Sequence, residues 1–150
     1  MRICDLLDEA VIKVGLESLD KEECFEELVD VLVRSGKISD RDSALGAVLR
    51  REEQGSTGIG QGIAIPHGKD ASFSTLTAAL GVSEDGIDFD AVDGEPVHLV
   101  FMLLARSDEP GPHIQALAEI SRLLRIPGFY RKVVEAESAR QIMDLLESEE

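Results

Sequence analysis

Residues 55–68 read GSTGIGQGIAIPHG, and this stretch decides how the whole chain is interpreted. A glycine-rich loop leads into the apolar run IAI, which predicts a short strand that delivers one histidine, His67. Pro66 fixes its own φ and favours extended geometry at Ile65. Because Gly68 adds no side chain on the other flank, we expect a rigidly held imidazole that is accessible from solvent.

The composition limits the class of protein. The chain has 150 residues, 43% of them hydrophobic, which predicts one domain spanning residues 1–150 with a substantial core. Its formal net charge of −15 would repel nucleic-acid phosphates and anionic membranes, so we expect neither as a partner. The same charge is also typical of a well-solvated acidic surface.

The cysteines and the N-terminus indicate a compartment. Cys4 and Cys24 are isolated and form neither a metal motif nor a disulfide framework, so a reducing environment is the simpler interpretation. The N-terminal residues lack the pattern of a secretory signal, and no apolar run approaches the roughly 18 residues of a membrane span. We therefore expect a cytoplasmic protein without membrane insertion.

Helical periodicity and capping patterns predict helices on both sides of the glycine-rich stretch. Asp20 and Ser39 each occupy a capping position before an amphipathic run. In the C-terminal third, residues 112–125 and 129–136 predict two more helices, and Ser138 opens the last one.

Apolar runs predict the strands. Residues 76–82 and 97–104 are almost wholly apolar, which is typical of strands covered on both faces, and an acidic turn region at 84–95 separates them. Residues 11–16 predict an edge strand. Helices before and after a sheet imply an α/β fold of the α+β type, with three layers arranged helix/sheet/helix.

Two other side chains complement His67. His113 follows Pro112, which favours the first turn of a helix, where free N–H groups and the helix dipole attract anions and disfavour an imidazolium. Arg51 ends the helix before the loop, and its planar guanidinium suits phosphate oxygens. Loop candidates for binding phosphate are Ser56, Thr57, Gly58 and Gly60.

These parts suggest phosphoryl transfer onto His67. A neutral imidazole attacks through one nitrogen while an acceptor, which the sequence does not identify, holds the other N–H. Because the phosphoryl group passes through a loose, metaphosphate-like transition state, catalysis consists mostly of aligning the reactants and stabilising charge.

Other interpretations of the same residues are weaker. The glycines alone would also fit a tight connection, and a nucleotide loop is disfavoured because Gln61 stands where a P-loop requires lysine. His98 lies in an apolar run and is expected to be structural. The three histidines lack the spacing of a metal site, so no metal or cofactor is expected.

Several segments carry a likeness to a known family. They are Arg51-Glu52 with residues 55–60 and 63–68, then residues 112–117 (PHIQAL) and 120–124 (ISRLL). These segments resemble the type-2 IIA domains of the bacterial phosphoenolpyruvate-dependent phosphotransferase system, the fructose, mannitol and nitrogen-regulatory family. The likeness runs from about Leu6 to Leu146.

The resemblance implies roles by position. It implies that His67 accepts phosphate from a phosphorylated HPr-like carrier, that His113 is a phosphate neighbour, and that Arg51 stabilises the phosphate. It also implies a mixed central sheet flanked by helices. Residues 58–69 and 87–94 look most like the nitrogen-regulatory branch, whose members act as phosphorylation-dependent regulators.

The leading hypothesis is therefore a phosphotransferase component, a phosphohistidine carrier with a nitrogen-type regulatory role. One alternative is a sugar-specific IIA component of the fructose or mannitol type that passes phosphate to a separate IIB protein. An alternative of another class is a regulatory module that binds target proteins without onward phosphotransfer.

Overall fold

The computed structural model describes all residues from 1 to 150, and aspartate caps set the start of its first two helices. The Asp20 carboxylate accepts from the Glu23 amide, and helix α1 (Lys21–Arg34) follows. Helix α2 (Arg41–Glu52) begins in the same way after Asp40, one residue later than predicted. The carboxylate at 40, rather than the preceding hydroxyl at Ser39, satisfies the free amide of the first turn.

Three helices form the C-terminal third: α3 (Pro110–Leu124), α4 (Phe129–Val134) and α5 (Ala139–Glu149). Helix α3 begins two residues before its predicted start, because both of its prolines lie in the first turn, where a missing N–H is tolerated. The Ser138 hydroxyl caps α5 as predicted. No helix combines the length and hydrophobicity that crossing a bilayer requires.

The six strands form one mixed sheet. They are β1 (Ile12–Val14), β2 (Gly58–Gly60), β3 (Ile63–Ala64), β4 (His67–Lys69), β5 (Thr77–Ile87) and β6 (Val97–Ala105). The order is β1-β5-β6-β3-β2, and β4 also pairs with β6. Pairs β1/β5, β3/β6 and β4/β6 are parallel, whereas β5/β6 and β2/β3 are antiparallel. The predicted α/β class with a mixed sheet is confirmed, and β1 lies at a sheet edge as predicted.

Strands β5 and β6 carry the centre of the core, and both contain runs of consecutive buried residues. This confirms the prediction of strands covered on both faces. Strand β5 continues to Ile87, however, so the predicted turn at 84–95 begins too early. An irregularity in pairing after Val82 and the positive φ of 93° at Gly86 allow the strand to resume and pair Ile87 with Val97.

The helices form two groups on the sheet. Helices α1 and α2 pack on each other and against β5 and β4, whereas α3, α4 and α5 pack against β6, β5 and β1. This is the predicted helix/sheet/helix arrangement. Strands β2 and β4 fall in stretches that were not predicted to be strands, because each is only three residues long and contains glycine, which is depleted in strands. The contact of α2 with β4 brings the end of that helix to His67.

Candidate active site

His67 is the first residue of β4, and the main chain fixes its tautomer. Its Nδ1 lies 2.9 Å from the carbonyl oxygen of Ile65. A carbonyl can only accept, so Nδ1 carries the proton and Nε2 keeps its lone pair. The acceptor that the sequence left unidentified is therefore a backbone atom two residues away.

The environment of His67 favours the neutral ring. Burial lowers its pKa below 6.5, and the positive charges of Arg51 and Lys69 lower it further, while the Ile65 carbonyl acts in the opposite sense. The imidazole is half-buried rather than openly accessible, which corrects the expectation from the flanking glycine. The space beside Gly68 is occupied by α2, not by solvent.

His113 lies in the first turn of α3, and its ring faces that of His67. The two ring centroids are 5.0 Å apart with 47° between the planes. His113 is only 4% exposed, and its pKa falls to about 4, first because of burial and then because of the charges of His67 and Lys69. A neutral ring was expected here from the helix dipole, but burial is the larger cause.

The hydrogen bonding of His113 indicates where its proton sits. Its Nδ1 is buried and has no hydrogen-bond partner. A buried N–H without an acceptor is rarer than an unfilled lone pair, so we assign the proton to Nε2. The neutral His113 ring then offers an Nε2–H donor next to the His67 ring.

Arg51 lies in the last turn of α2 and lines the same cleft as His67. Its Nη1 donates to the Gly55 carbonyl at 2.8 Å, which orients the guanidinium at the start of the glycine loop. A cleft of about 420 Å³ opens there. Its lining residues are Ala47, Arg50, Arg51, Gln54, His67, Gly68 and Lys69.

The loop candidates Ser56, Thr57, Gly58 and Gly60 do not line this cleft. The Thr57 amide and hydroxyl both donate to the Glu52 carboxylate, and the Gly58 amide donates to the Ser56 hydroxyl. Gly60 pairs with Ile63 in the β2/β3 ladder. Because these donors already have partners, the structure does not offer them as a cradle for a phosphoryl group at His67.

Sequence reasoning missed two side chains near the site. Glu52 is buried; besides holding Thr57, it lies 3.7 Å from the Lys21 ammonium. The sequence signal for Glu52 was its place next to Arg51, but only Arg51 was assigned a role in the site. Lys69 lies two residues after His67 in one strand, and the two-residue alternation of strands could have placed it on the same face.

The third histidine lies on β6 and makes a separate contact. The Nδ1 of His98 is 2.9 Å from the Ser83 carbonyl, which fits the structural role expected of it. No three His, Cys, Asp or Glu side chains are grouped closely enough to hold a metal ion.

Comparison with known sequences places the site in a family. Residues 5–149 match the family model described as phosphoenolpyruvate-dependent sugar phosphotransferase system, EIIA 2. The chain is 44% identical over 146 residues to the fructose-specific EIIABC component of Bacillus subtilis, 97% of this chain but only 23% of that protein. It is 43% identical to the fructose-specific EIIA component of Haloferax volcanii, over 84% of this chain and 82% of that protein.

Nitrogen-regulatory proteins are also relatives. The chain is 34% identical to the nitrogen regulatory protein of Bradyrhizobium diazoefficiens, over 97% of this chain and 95% of the relative. The solved nitrogen regulatory protein IIA-Ntr of Neisseria meningitidis superposes with a TM-score of 0.87 at 30% identity, covering 96% of this chain and 98% of that one.

Mannitol proteins share the fold. The structure of Escherichia coli enzyme IIAMTL in complex with phosphorylated enzyme IIBMTL gives a TM-score of 0.81 at 23% identity, covering 95% of this chain and 97% of that one. Fructose, mannitol and nitrogen-regulatory proteins thus all appear among the similar proteins, as the resemblance implied. The chain belongs to the EIIA type-2 family of the phosphoenolpyruvate-dependent phosphotransferase system.

Proposed function

We propose that this protein is a cytoplasmic phosphohistidine carrier that accepts a phosphoryl group from an HPr-like protein on Nε2 of His67. The observation that carries the proposal is the hydrogen bond from His67 Nδ1 to the Ile65 carbonyl. It fixes the tautomer in which Nε2 is the nucleophile, beside a cleft that also contains Arg51.

The chemistry requires no proton transfer. The Nε2 lone pair forms the new N–P bond, the donor's bond to phosphorus breaks, and its electron pair returns to the donor's leaving atom. The proton stays on Nδ1, which donates it to the Ile65 carbonyl oxygen in a hydrogen bond throughout. Arg51 stabilises the charge on the phosphoryl oxygens, and the Nε2–H of His113 donates a further hydrogen bond.

The receiver of the phosphate separates two versions of this function. A nitrogen-type regulator, which changes its protein targets with phosphorylation, is supported by the likeness to IIA-Ntr of Neisseria meningitidis. A sugar-specific component that passes phosphate to a IIB protein is supported by the higher identities, 44% and 43%, to fructose-specific relatives. In either case phosphorylation adds roughly two negative charges to an acidic chain and alters its choice of partners.

The acceptor assignment is tested by measuring intact mass after incubation with phosphoenolpyruvate, enzyme I and an HPr-type carrier. We expect a gain of one phosphoryl group that disappears in acid, as an N-linked phosphate does. His67→Ala should abolish the gain, whereas the matched control His98→Gln should retain it. His113→Ala should slow the gain without preventing it. Persistent labelling of the His67 variant would reject the acceptor assignment.

A second measurement separates the receivers. The phosphorylated protein is mixed with a fructose-type IIB protein, and both masses are followed over time. Transfer supports the sugar-specific version. Phosphate that stays on this chain, together with phosphorylation-dependent binding of target proteins, supports the regulatory version or a module that binds without onward transfer.

A further inference from the structure

Lys69 shares a strand face with the proposed phosphate acceptor. Side chains alternate along β4, and the face of Gly68 is filled by α2, since a Cβ there would lie 2.8 Å from Ala47. His67 and Lys69 therefore lie on the same face of β4, opposite to that of Gly68. Both also line the cleft that contains Arg51.

Lys69 lacks the ion-pair partner that most cations in this chain have. The chain has 30 carboxylate side chains and 15 lysines and arginines. Only five of those cations have no carboxylate oxygen within 4.0 Å. These are Arg34, Arg51, Lys69, Arg125 and Lys132.

Two of the five unpaired cations are thus at the same cleft. Arg50 lines it as well, but its Nη2 already lies 3.5 Å from the Asp70 carboxylate. In so acidic a chain, an ammonium and a guanidinium left without carboxylates beside one imidazole are suited to an anion supplied from outside. The positive charge of Lys69 also lowers the pKa of both histidine rings, after the larger effect of burial.

We propose that Lys69 binds the phosphoryl group on His67 as a second cation alongside Arg51, and that it thereby sets how firmly the protein retains its phosphate. This inference rests on the proposed function of His67. The two cations have different roles. The Arg51 guanidinium is already oriented by the Gly55 carbonyl, whereas the Lys69 ammonium is mobile on its stem and has three donors for whichever phosphoryl oxygens are exposed.

The consequence is thermodynamic. A contact made to the phosphorylated protein and not to the unphosphorylated one shifts the exchange equilibrium with the carrier toward this chain. Without Lys69, phosphate should return to the carrier more readily, although His67 would still accept it.

The test is the phosphoryl exchange equilibrium between this protein and an HPr-type carrier, measured by intact mass with both proteins at known concentrations. For Lys69→Gln we expect the equilibrium constant to fall about tenfold, as for loss of one charge-assisted hydrogen bond. Lys69→Arg should remain within about threefold of the unmodified protein, because the charge is kept. Lys132→Gln is the matched control, an unpaired lysine outside the cleft, and should change nothing.

The outcomes are distinguishable. An unchanged equilibrium for Lys69→Gln, or an equal shift for Lys132→Gln, overturns the role of Lys69 while leaving His67 as acceptor. Absence of any mass gain in the unmodified protein rejects the proposed function, and this inference with it. Thermal unfolding of each variant checks that the fold is intact, which we expect because Lys69 is exposed.

Discussion

A Cβ atom added to Gly68 would lie 2.8 Å from both the carbonyl carbon and the Cβ of Ala47. Helix α2 thus approaches β4 as closely as a glycine permits. Arg51 lies one turn further along the helix, so the missing side chain at Gly68 lets α2 bring Arg51 to the cleft that His67 also lines.

Substitution of this glycine should therefore displace the helix. We expect Gly68→Ala to lower the free energy of unfolding by about 1–3 kcal/mol, as overpacking does, and to slow phosphorylation of His67. Chemical denaturation and the rate of mass gain measure the two effects. Gly111→Ala is the control, because a Cβ at that position meets no atom within 4 Å. Equal stability of the two variants would show that the close approach is not required.

The position of the phosphate follows from the hydrogen bond between His67 Nδ1 and the Ile65 carbonyl. We expect phosphorus to be bonded to Nε2, with Nδ1 still protonated. Phosphorus–nitrogen couplings in protein labelled with ¹⁵N-histidine report this directly. Coupling to Nδ1 instead would mean that the ring turns before it reacts.

His113 should make stability depend on pH. Its pKa is about 4 in the folded protein and 6.5 when unperturbed, so between these values the unfolded chain binds a proton that the folded chain does not. Stability should therefore fall as pH decreases through 6.5 toward 4, by about 3 kcal/mol, and should not depend on this group well above 6.5.

The comparison with His113→Gln isolates that contribution from the titration of carboxylates. Between pH 7 and pH 4.5 the free energy of unfolding, measured by chemical denaturation, should fall more in the unmodified protein than in the variant, because the variant lacks the titrating group. Parallel losses of stability in both proteins would contradict the low pKa assigned to His113.

Glu52 should stabilise the loop that follows α2. Its carboxylate accepts from the amide and hydroxyl of Thr57 and faces the Lys21 ammonium at 3.7 Å, whereas glutamine in its place would remove the negative charge and one of the two acceptor oxygens. We expect Glu52→Gln to cost about 1–3 kcal/mol in the free energy of unfolding. The exposed neighbour Glu53 gives a matched control, since Glu53→Gln should be neutral. Urea denaturation compares the two, and similar midpoints would refute a stabilising role for the buried carboxylate.

Much of the fold could be predicted, because its signals are local. The caps at Asp20 and Ser138 depend on amides three residues away. The buried strands are recognisable as unbroken apolar runs in the sequence. The errors have local causes too. The predicted end of β5 was wrong because a positive φ at Gly86 lets a strand continue through what looks like a turn.

The candidate site was predictable only in part. His67, His113 and Arg51 were chosen as candidates from the sequence, and the structure brings the two rings together and lines one cleft with His67 and Arg51. The phosphate loop was not found as expected, since the amide of Thr57 is bonded to Glu52. A sequence lists donors, but it does not reveal which of them already have acceptors.

The sequence by itself determined the family, most of the helices, the two long buried strands and the choice of His67 as candidate, because motifs, caps and periodicity depend on near neighbours along the chain. Only the tertiary structure decided the burial of His113, the approach of α2 to Gly68 and the lack of any carboxylate oxygen within 4.0 Å of the Lys69 ammonium. These features arise where β4, α2 and α3 meet, and such long-range packing sets the burial and charge around the imidazole that local sequence cannot specify.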